Sequence, residues 1–329
     1  MERFAELQAW IKTALHLPMV RLEPAAADAS FRRYFRVQGA DSTFIVMDAP
    51  PEHEDCRPFV QVAALLRAAG VHAPEVFAQD LQRGFLLLGD LGRQSYLEAL
   101  NADNAADLFG DALAALIRWQ CASRPGVLPA YERTVLCREL QLFPEWYLQR
   151  HCGLTLTAPE HAVLEASFRL LEDSALAQPR VYVHRDYMPR NLIVSAPNPG
   201  VLDFQDALYG PLTYDVATLF RDAFVSWDAE RIHAWRRRYW QQARAAGLPV
   251  PEFGEFGRAC DWMGMQRHLK VLGIFARLWH RDGKSNYVKD TPRFMNYLRE
   301  TGGRYHEFTP LLKLLDSMAE RTESGVLAG

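Results

Sequence analysis

VYVHRDYMPRNLIVSAPNPGVLDFQDALYG, residues 181–210, sets His184, Asp186, Asn191 and Asp203 between short apolar runs. Val181–Val183 and Leu192–Val194 have the branched, apolar texture of buried strands, and Val201-Leu202 reads as a third. Asp186 to Arg190 then forms a loop between the first two. The four residues separating Asp186 from Asn191 let the chain fold back, so that Asn191 faces Asp203, which the returning strand delivers to the same edge.

His184, Arg185, Asp186 and Asn191 spell H-R-D-x-x-x-x-N, and Asp203 follows in Leu-Asp-Phe-Gln. A protein-kinase catalytic loop has the same spacing, followed by a D-F-G triplet; Gln205 stands where that glycine would be. A hydroxyl nucleophile needs a carboxylate to orient it and accept its proton, which suits Asp186. A triphosphate needs Mg²⁺, a hard cation that prefers oxygen ligands, and Asn191 and Asp203 offer them. A single loop aspartate is ordinarily a turn or cap residue. Five positions in the right order between strands are much harder to obtain by chance. His184 is read as scaffolding for the loop.

The rest of the chain bounds this reading. It has 329 residues, 49% apolar and 23% charged, which suits one bilobal unit or two domains and argues against overall disorder. The net charge of −3 gives no general attraction for nucleic acid or anionic membrane. No apolar run approaches the roughly 18 residues of a membrane span, and MERFAELQAWIKTALHL lacks the unbroken apolar core of a secretory signal. Five scattered cysteines without a CxxC argue against a disulfide framework or zinc ribbon. They are expected to be small buried or partly buried side chains in a reducing cytoplasm.

Phe4, Leu7, Ile11 and Leu15 predict an N-terminal helix over 2–15. Phe31–Val37 and Thr43–Ala49 predict a hairpin around Gln38–Asp41. A helix from Pro58 to Ala69, ended by Gly70, should follow, then a strand pair at Glu75–Asp80 and Gly84–Gly89. Beyond Gly92 the pattern is mainly helical, with candidates at 103–122, 133–150, 159–177, 211–224, 228–246, 252–279 and 304–317. The class is α+β: a small β-rich lobe, 1–88, and a larger mainly helical lobe, 89–329.

HRDYMPRN followed by VLDFQDA resembles the aminoglycoside phosphotransferase and choline kinase-like family, in its bacterial branch of anomeric amino-sugar kinases. ASFRRYFRV (29–37), FIVMDAPPEHED (44–55), LLLGDLG (86–92), RELQLFPEWYL (138–148), LYGPLTYDVATLFRDAF (208–224) and QRHLKVLGIFARL (266–278) carry the likeness over nearly the whole chain. The resemblance implies a protein kinase-like bilobal fold and ATP and Mg²⁺ as cofactors. It implies N-acetylmuramate or N-acetylglucosamine as acceptor, in cytoplasmic cell-wall sugar recycling. Asp186 takes the base position, Asn191 and Asp203 the magnesium positions, and Leu87, Leu88, Gly89 and Asp90 the hinge that bonds adenine. Asp215 matches a buried aspartate that braces the catalytic loop. No nucleic-acid, membrane or obligate protein partner is expected.

Two features depart from the kinase pattern. The GxGxxG turn is missing, and Ala27–Phe31 stands there, with Ser30 as its phosphate candidate. The strand lysine is missing too, because FIVMDAP places Met47 near its position. Arginines such as Arg32, Arg33 and Arg36 are ordinarily solvated. Arg33 is the candidate substitute because it shares a strand face with Phe35 and Val37. Arg236–Arg238 reads as a solvated helix face. For the acceptor, Arg221 and His268 are the candidates, since an arginine fork suits a lactyl carboxylate. Trp146, with Tyr147, offers an apolar wall, although such aromatics are more often core. The rival readings are a phosphotransferase for another hydroxyl compound, such as an aminoglycoside or a choline-like molecule, and a catalytically silent nucleotide-binding module.

Overall fold

A computed structural model of the chain describes residues 2–16, 21–27, 31–39 and 42–326. In chain order come α1 (Glu2–Leu15), β1 (Leu22–Ala27), β2 (Arg33–Gln38), β3 (Thr43–Asp48), α2 (Arg57–Ala68), β4 (Val76–Asp80) and β5 (Phe85–Gly89). Next are α3 (Tyr96–Ala99), α4 (Ala105–Cys121), α5 (Arg133–Leu142), α6 (Ala158–Leu176), β6 (Arg180–Val183), β7 (Leu192–Ile193), β8 (Gly200–Val201) and β9 (Leu208–Pro211). The chain closes with α7 (Tyr214–Phe220), α8 (Ala229–Ala245), α9 (Phe253–Asp282), α10 (Thr291–Gly302) and α11 (Thr309–Val326). It divides into two compact units, Met1–Ala122 with Pro189–Ala207, and Ser123–Met188 with Leu208–Gly329.

The first unit is built on an antiparallel sheet of order β1-β2-β3-β5-β4. Side chains alternate across it, and facing pairs such as Phe35↔Val46 and Val46↔Leu87 share one surface. That surface meets Leu7 and Ile11, which lie four apart on α1, and buries Val37, Val46, Phe85 and Leu87 with them. Each such aliphatic or aromatic side chain contributes about 1.5–3 kcal/mol on burial. The other surface carries Tyr34, Arg36, Ile45 and Leu88. β1 did not show in the pattern because LEPAAA has neither branched nor aromatic residues after Leu22. It is an edge strand with a bulge between Pro24 and Ala26, a place where proline is tolerated.

The second unit wraps helices around α9, whose side chains are buried nearly all round between Cys260 and Gly273. Gly273 is required there: a Cβ would lie 2.4 Å from the Leu142 carbonyl. The bare backbone lets α9 press against the end of α5. The expected helix over 133–150 changes pitch at Phe143, where a π-helical stretch runs to His151 and includes Pro144. Proline cannot continue the regular backbone ladder, so the turn widens. The expected helix from 211 starts only at Tyr214, because Leu208–Pro211 pairs antiparallel with β6. α10 was not anticipated, and the last helix lies at 309–326 rather than 304–317. Cys121 and Cys137 are exposed, which corrects their expected burial. Among the described residues no helix is long and apolar enough to cross a membrane.

Candidate active site

The first unit holds a cavity of 420 Å³ between the free surface of its sheet and the segment around β7 and β8. That size suits a small cofactor. Ile45 and Leu88 line the sheet side, and Ile193 and Leu202 line the other. Leu202 donates its backbone N–H to the Asn191 carbonyl at 2.9 Å, which ties the end of the β7–β8 hairpin and brings Asn191 beside Asp203. The Asn191 amide donates to Asp203 Oδ2 at 3.2 Å, and Gln205 donates to Oδ1 at 2.9 Å. Asp203 sits at φ +62°, a left-handed conformation uncommon for a residue with a side chain. Both residues line the cavity and offer oxygen donors, which fits a hard divalent cation such as Mg²⁺. No group of three or more His, Cys, Asp or Glu among the described residues could hold a metal by itself. Mg²⁺ ordinarily takes its remaining ligands from phosphate and water.

The residues expected at the hinge divide by parity. Leu88, Gly89 and Asp90 line the cavity, whereas Leu87 is buried against α1. Arg36 donates from Nε to Asp90 Oδ2 at 2.5 Å and from Nη2 to Oδ1 at 2.9 Å, and also reaches the Gly92 carbonyl at 2.9 Å. Burial works against the Asp90 charge, but Arg36 outweighs it and holds the carboxyl below its ordinary value.

Arg33 is not in this wall. It does share a surface with Phe35, as its strand parity requires, but that surface is the one α1 covers. Its guanidinium pairs with Asp48, which also accepts from Arg3 at 2.8 Å. Met47 is fully buried. The arginines that do line the cavity are Arg36, Arg93 and Arg190. Ser30 lies outside the described residues.

In the second unit the loop at His184–Asp186 is held from several sides. Asp215, at the start of α7, accepts from the backbone N–H of His184 at 2.7 Å and of Arg185 at 2.9 Å. Burial nevertheless pushes the Asp215 carboxyl up to about 7. The buried His184 ring accepts from the Asp186 N–H at 3.3 Å and meets Tyr187 edge-on. Arg185 has φ +78°. The Asp186 side chain keeps 37% exposure, and Arg267 Nη2 lies 3.6 Å from its Oδ1. Burial would raise the Asp186 carboxyl, but Arg267, then Lys270 and Arg185, hold it below its usual range. The base candidate is therefore ionised at neutral pH.

Glu139, on α5, was missed in the sequence. It is 4% exposed and accepts from Arg185 at 2.5 Å, Lys270 at 2.8 Å, Gln266 at 3.1 Å and the Tyr131 hydroxyl. Burial opposes its charge, but Lys270 and Arg185 hold it at about 2. Leu136, Glu139 and Leu140 are the buried residues of α5, so the signal was an acidic residue on an apolar helical stripe.

The acceptor candidates are brought together in part. Arg221 lies over the Tyr297 ring at 5.0 Å, and the buried His268 ring is 5.1 Å from the same ring. Arg221 is 8% exposed in its side chain and pairs with Glu300 at 3.1 Å. Burial and then Arg221 push the His268 imidazole well below its usual value, so it is neutral. Trp146 lies under Arg150 at 4.3 Å, while Tyr147 stacks on Phe143 in the core. Arg236 corrects the solvated reading of Arg236–Arg238. It is buried and donates to Asp261 at 2.7 Å, since it follows Ile232 and Trp235 on the inner face of α8.

Residues 21–253 match the phosphotransferase enzyme family, and the chain belongs to that family. It is 56% identical to the N-acetylmuramate/N-acetylglucosamine kinase of Pseudomonas aeruginosa, over 98% of each chain. It is 46% identical to the protein of that name from Neisseria meningitidis, over 99% of each. Among solved structures, choline kinase LicA from Streptococcus pneumoniae superposes with a TM-score of 0.61 at 14% identity, covering 90% of this chain and 99% of that one. The gentamicin complex of APH(2")-IIa gives 0.61 at 14% identity, covering 88% and 95%. These likenesses establish a protein kinase-like fold: a five-stranded antiparallel sheet unit and a mostly helical one.

Proposed function

We propose that this chain transfers the γ-phosphoryl group of ATP to the anomeric hydroxyl of N-acetylmuramate and N-acetylglucosamine. The observation that carries the reading is the 56% identity, along nearly the full length, to an enzyme of that name. The chemistry of the residues supports it. The anomeric oxygen forms a bond to the γ-phosphorus, the bond from that phosphorus to the β,γ-bridging oxygen breaks, and ADP leaves. Asp186, kept ionised by Arg267, orients the hydroxyl and takes its proton on a carboxylate oxygen. Asn191 and Asp203 would hold Mg²⁺, whose charge neutralises phosphate oxygens when it is bound.

The backbone of Leu88 to Asp90 is assigned to adenine, with Ile45, Leu88, Ile193 and Leu202 against its faces. Arg190, in the cavity wall next to Asn191, is assigned to the phosphates in place of the missing strand lysine, with Arg93 at the hinge end. Arg33, paired with Asp48 on the other surface of the sheet, has no part in that role. Arg221 is assigned to the lactyl carboxylate of N-acetylmuramate, with His268 and Tyr297 beside it. The reaction is assigned to the cytoplasm, which supplies ATP, and to the recycling of cell-wall sugars.

The test is ADP release on addition of either sugar, in the wild type and in Asp186→Asn. Loss of a positioned base costs about 10²–10⁴-fold in rate. The variant should show that loss with ATP affinity retained. Wild-type turnover in Asp186→Asn would remove the base assignment.

A further inference from the structure

Arg185, the loop residue before the proposed base, has a left-handed backbone and a guanidinium bound to a carboxylate from α5. A non-glycine residue at φ +78° persists only where its surroundings over-determine it. Here they do. Asp215 takes the Arg185 N–H, Arg267 donates to the Arg185 carbonyl at 3.0 Å, and Glu139 takes the side chain at 2.5 Å. Glu139 is the shared anchor. Lys270, which it also binds, donates at 3.0 Å to the Tyr214 hydroxyl, and that hydroxyl accepts from Arg267 at 3.4 Å. Arg267 is the group that faces Asp186. One buried carboxylate thus fixes Asp186 along two routes, through Arg185 and through Lys270, Tyr214 and Arg267.

In kinases switched by phosphorylation, a phosphate added to the activation loop pairs with an arginine and orders the segment. We propose that Glu139 is a positioning residue that supplies this negative partner from within the fold, so that the base loop is set without covalent modification. This rests on the reading of Asp186 as the base. The partner is buried, and α9 encloses it by the close approach at Gly273, so it is present in every folded molecule. Its work is geometric: a displacement of about 1 Å at a reacting group costs on the order of 10² in rate.

The experiment measures kcat and KM with N-acetylglucosamine for Glu139→Gln, Arg185→Met, the double variant and Asp186→Asn. Each single change at the Glu139–Arg185 contact should lower kcat about 10–100-fold and leave KM for ATP within about twofold. The double variant should be no slower than Glu139→Gln alone, because that change already removes the contact that Arg185→Met removes. Glu139→Asp keeps the charge, withdraws it by one methylene and guards against a misfolded Glu139→Gln; it should show the same kcat-only loss. Treating the wild type with a broad-specificity phosphatase should leave kcat unchanged.

A folded Glu139→Gln or Glu139→Asp with wild-type kcat, or single losses that multiply in the double variant, would overturn the proposal. Inactivation of the wild type by the phosphatase would do so too. An active Asp186→Asn would instead strike the reading of the base, so the two failures are distinguishable.

Discussion

Arg36 and Asp90 close on each other with two parallel bonds, Nε to Oδ2 at 2.5 Å and Nη2 to Oδ1 at 2.9 Å, in the wall of the 420 Å³ cavity. The side chains are 10% and 6% exposed, so the pair is shielded from water and salt. Removing one partner of a buried pair costs about 3–5 kcal/mol, mostly from the charge left behind. Asp90→Asn should therefore lose about 3 kcal/mol in denaturant unfolding. Arg36→Met with Asp90→Leu should recover part of that loss. Wild-type stability in Asp90→Asn would show that the pair is solvated in solution.

Arg36 is tied to Asp90 and the Gly92 carbonyl, and the proposed function therefore gives the phosphates to Arg190. Arg190→Gln should weaken ATP and ADP binding by about tenfold, the scale of one lost charge-assisted contact, and leave adenosine binding unchanged. Calorimetry with the three ligands separates the outcomes. Equal loss for adenosine would place Arg190 at the base or in the fold of the cavity. No loss for any ligand would return the phosphate role to an unassigned group.

Glu139 gives the acid limb of stability a definite origin. Its carboxyl titrates at about 2 in the fold against an ordinary 4.5. The folded value is depressed, so its contribution is fully present above pH 4.5 and is lost as pH falls toward 2. The size is on the order of 3 kcal/mol. Asp215 runs the other way: raised from 3.8 to about 7, it favours the fold most below pH 3.8, and that contribution is lost as pH rises through 7. Melting curves of wild type and Glu139→Gln should diverge above pH 4.5 and converge toward pH 2. Parallel curves across that window would contradict the assignment.

The two sugars differ by one lactyl carboxylate, which makes Arg221 testable by substrate alone. Arg221→Gln should raise KM for N-acetylmuramate by about tenfold or more and leave KM for N-acetylglucosamine within about twofold. A rise shared by both sugars would assign Arg221 to the fold around Glu300 and Tyr297 rather than to the acceptor.

The sequence was most legible where chemistry forces residue types into fixed spacing. The meeting of Asn191 and Asp203 is one such case: their spacing around two short paired strands brings the Asn191 amide to the Asp203 carboxylate. Arg33 shows the limit. Alternation correctly grouped it with Phe35 and Val37, but parity does not say which sheet surface a helix will cover, and α1 covers that one. Leu87 parts from Leu88 for the same reason. β1 carries no strand signature in its alanines, and its pairing with β2 is a tertiary fact. Glu139 and Arg236 were both visible as charges on apolar helical stripes, yet their partners, Lys270 and Asp261, are distant in the chain.

The central claim is tested most directly by ³¹P NMR of the protein with ATP, Mg²⁺ and N-acetylmuramate, with N-acetylglucosamine and an aminoglycoside in parallel. The account predicts a new sugar phosphate resonance coupled to the anomeric proton with both amino sugars, and none with the aminoglycoside. A phosphate resonance only in the aminoglycoside sample, or ATP unchanged in all of them, would contradict it.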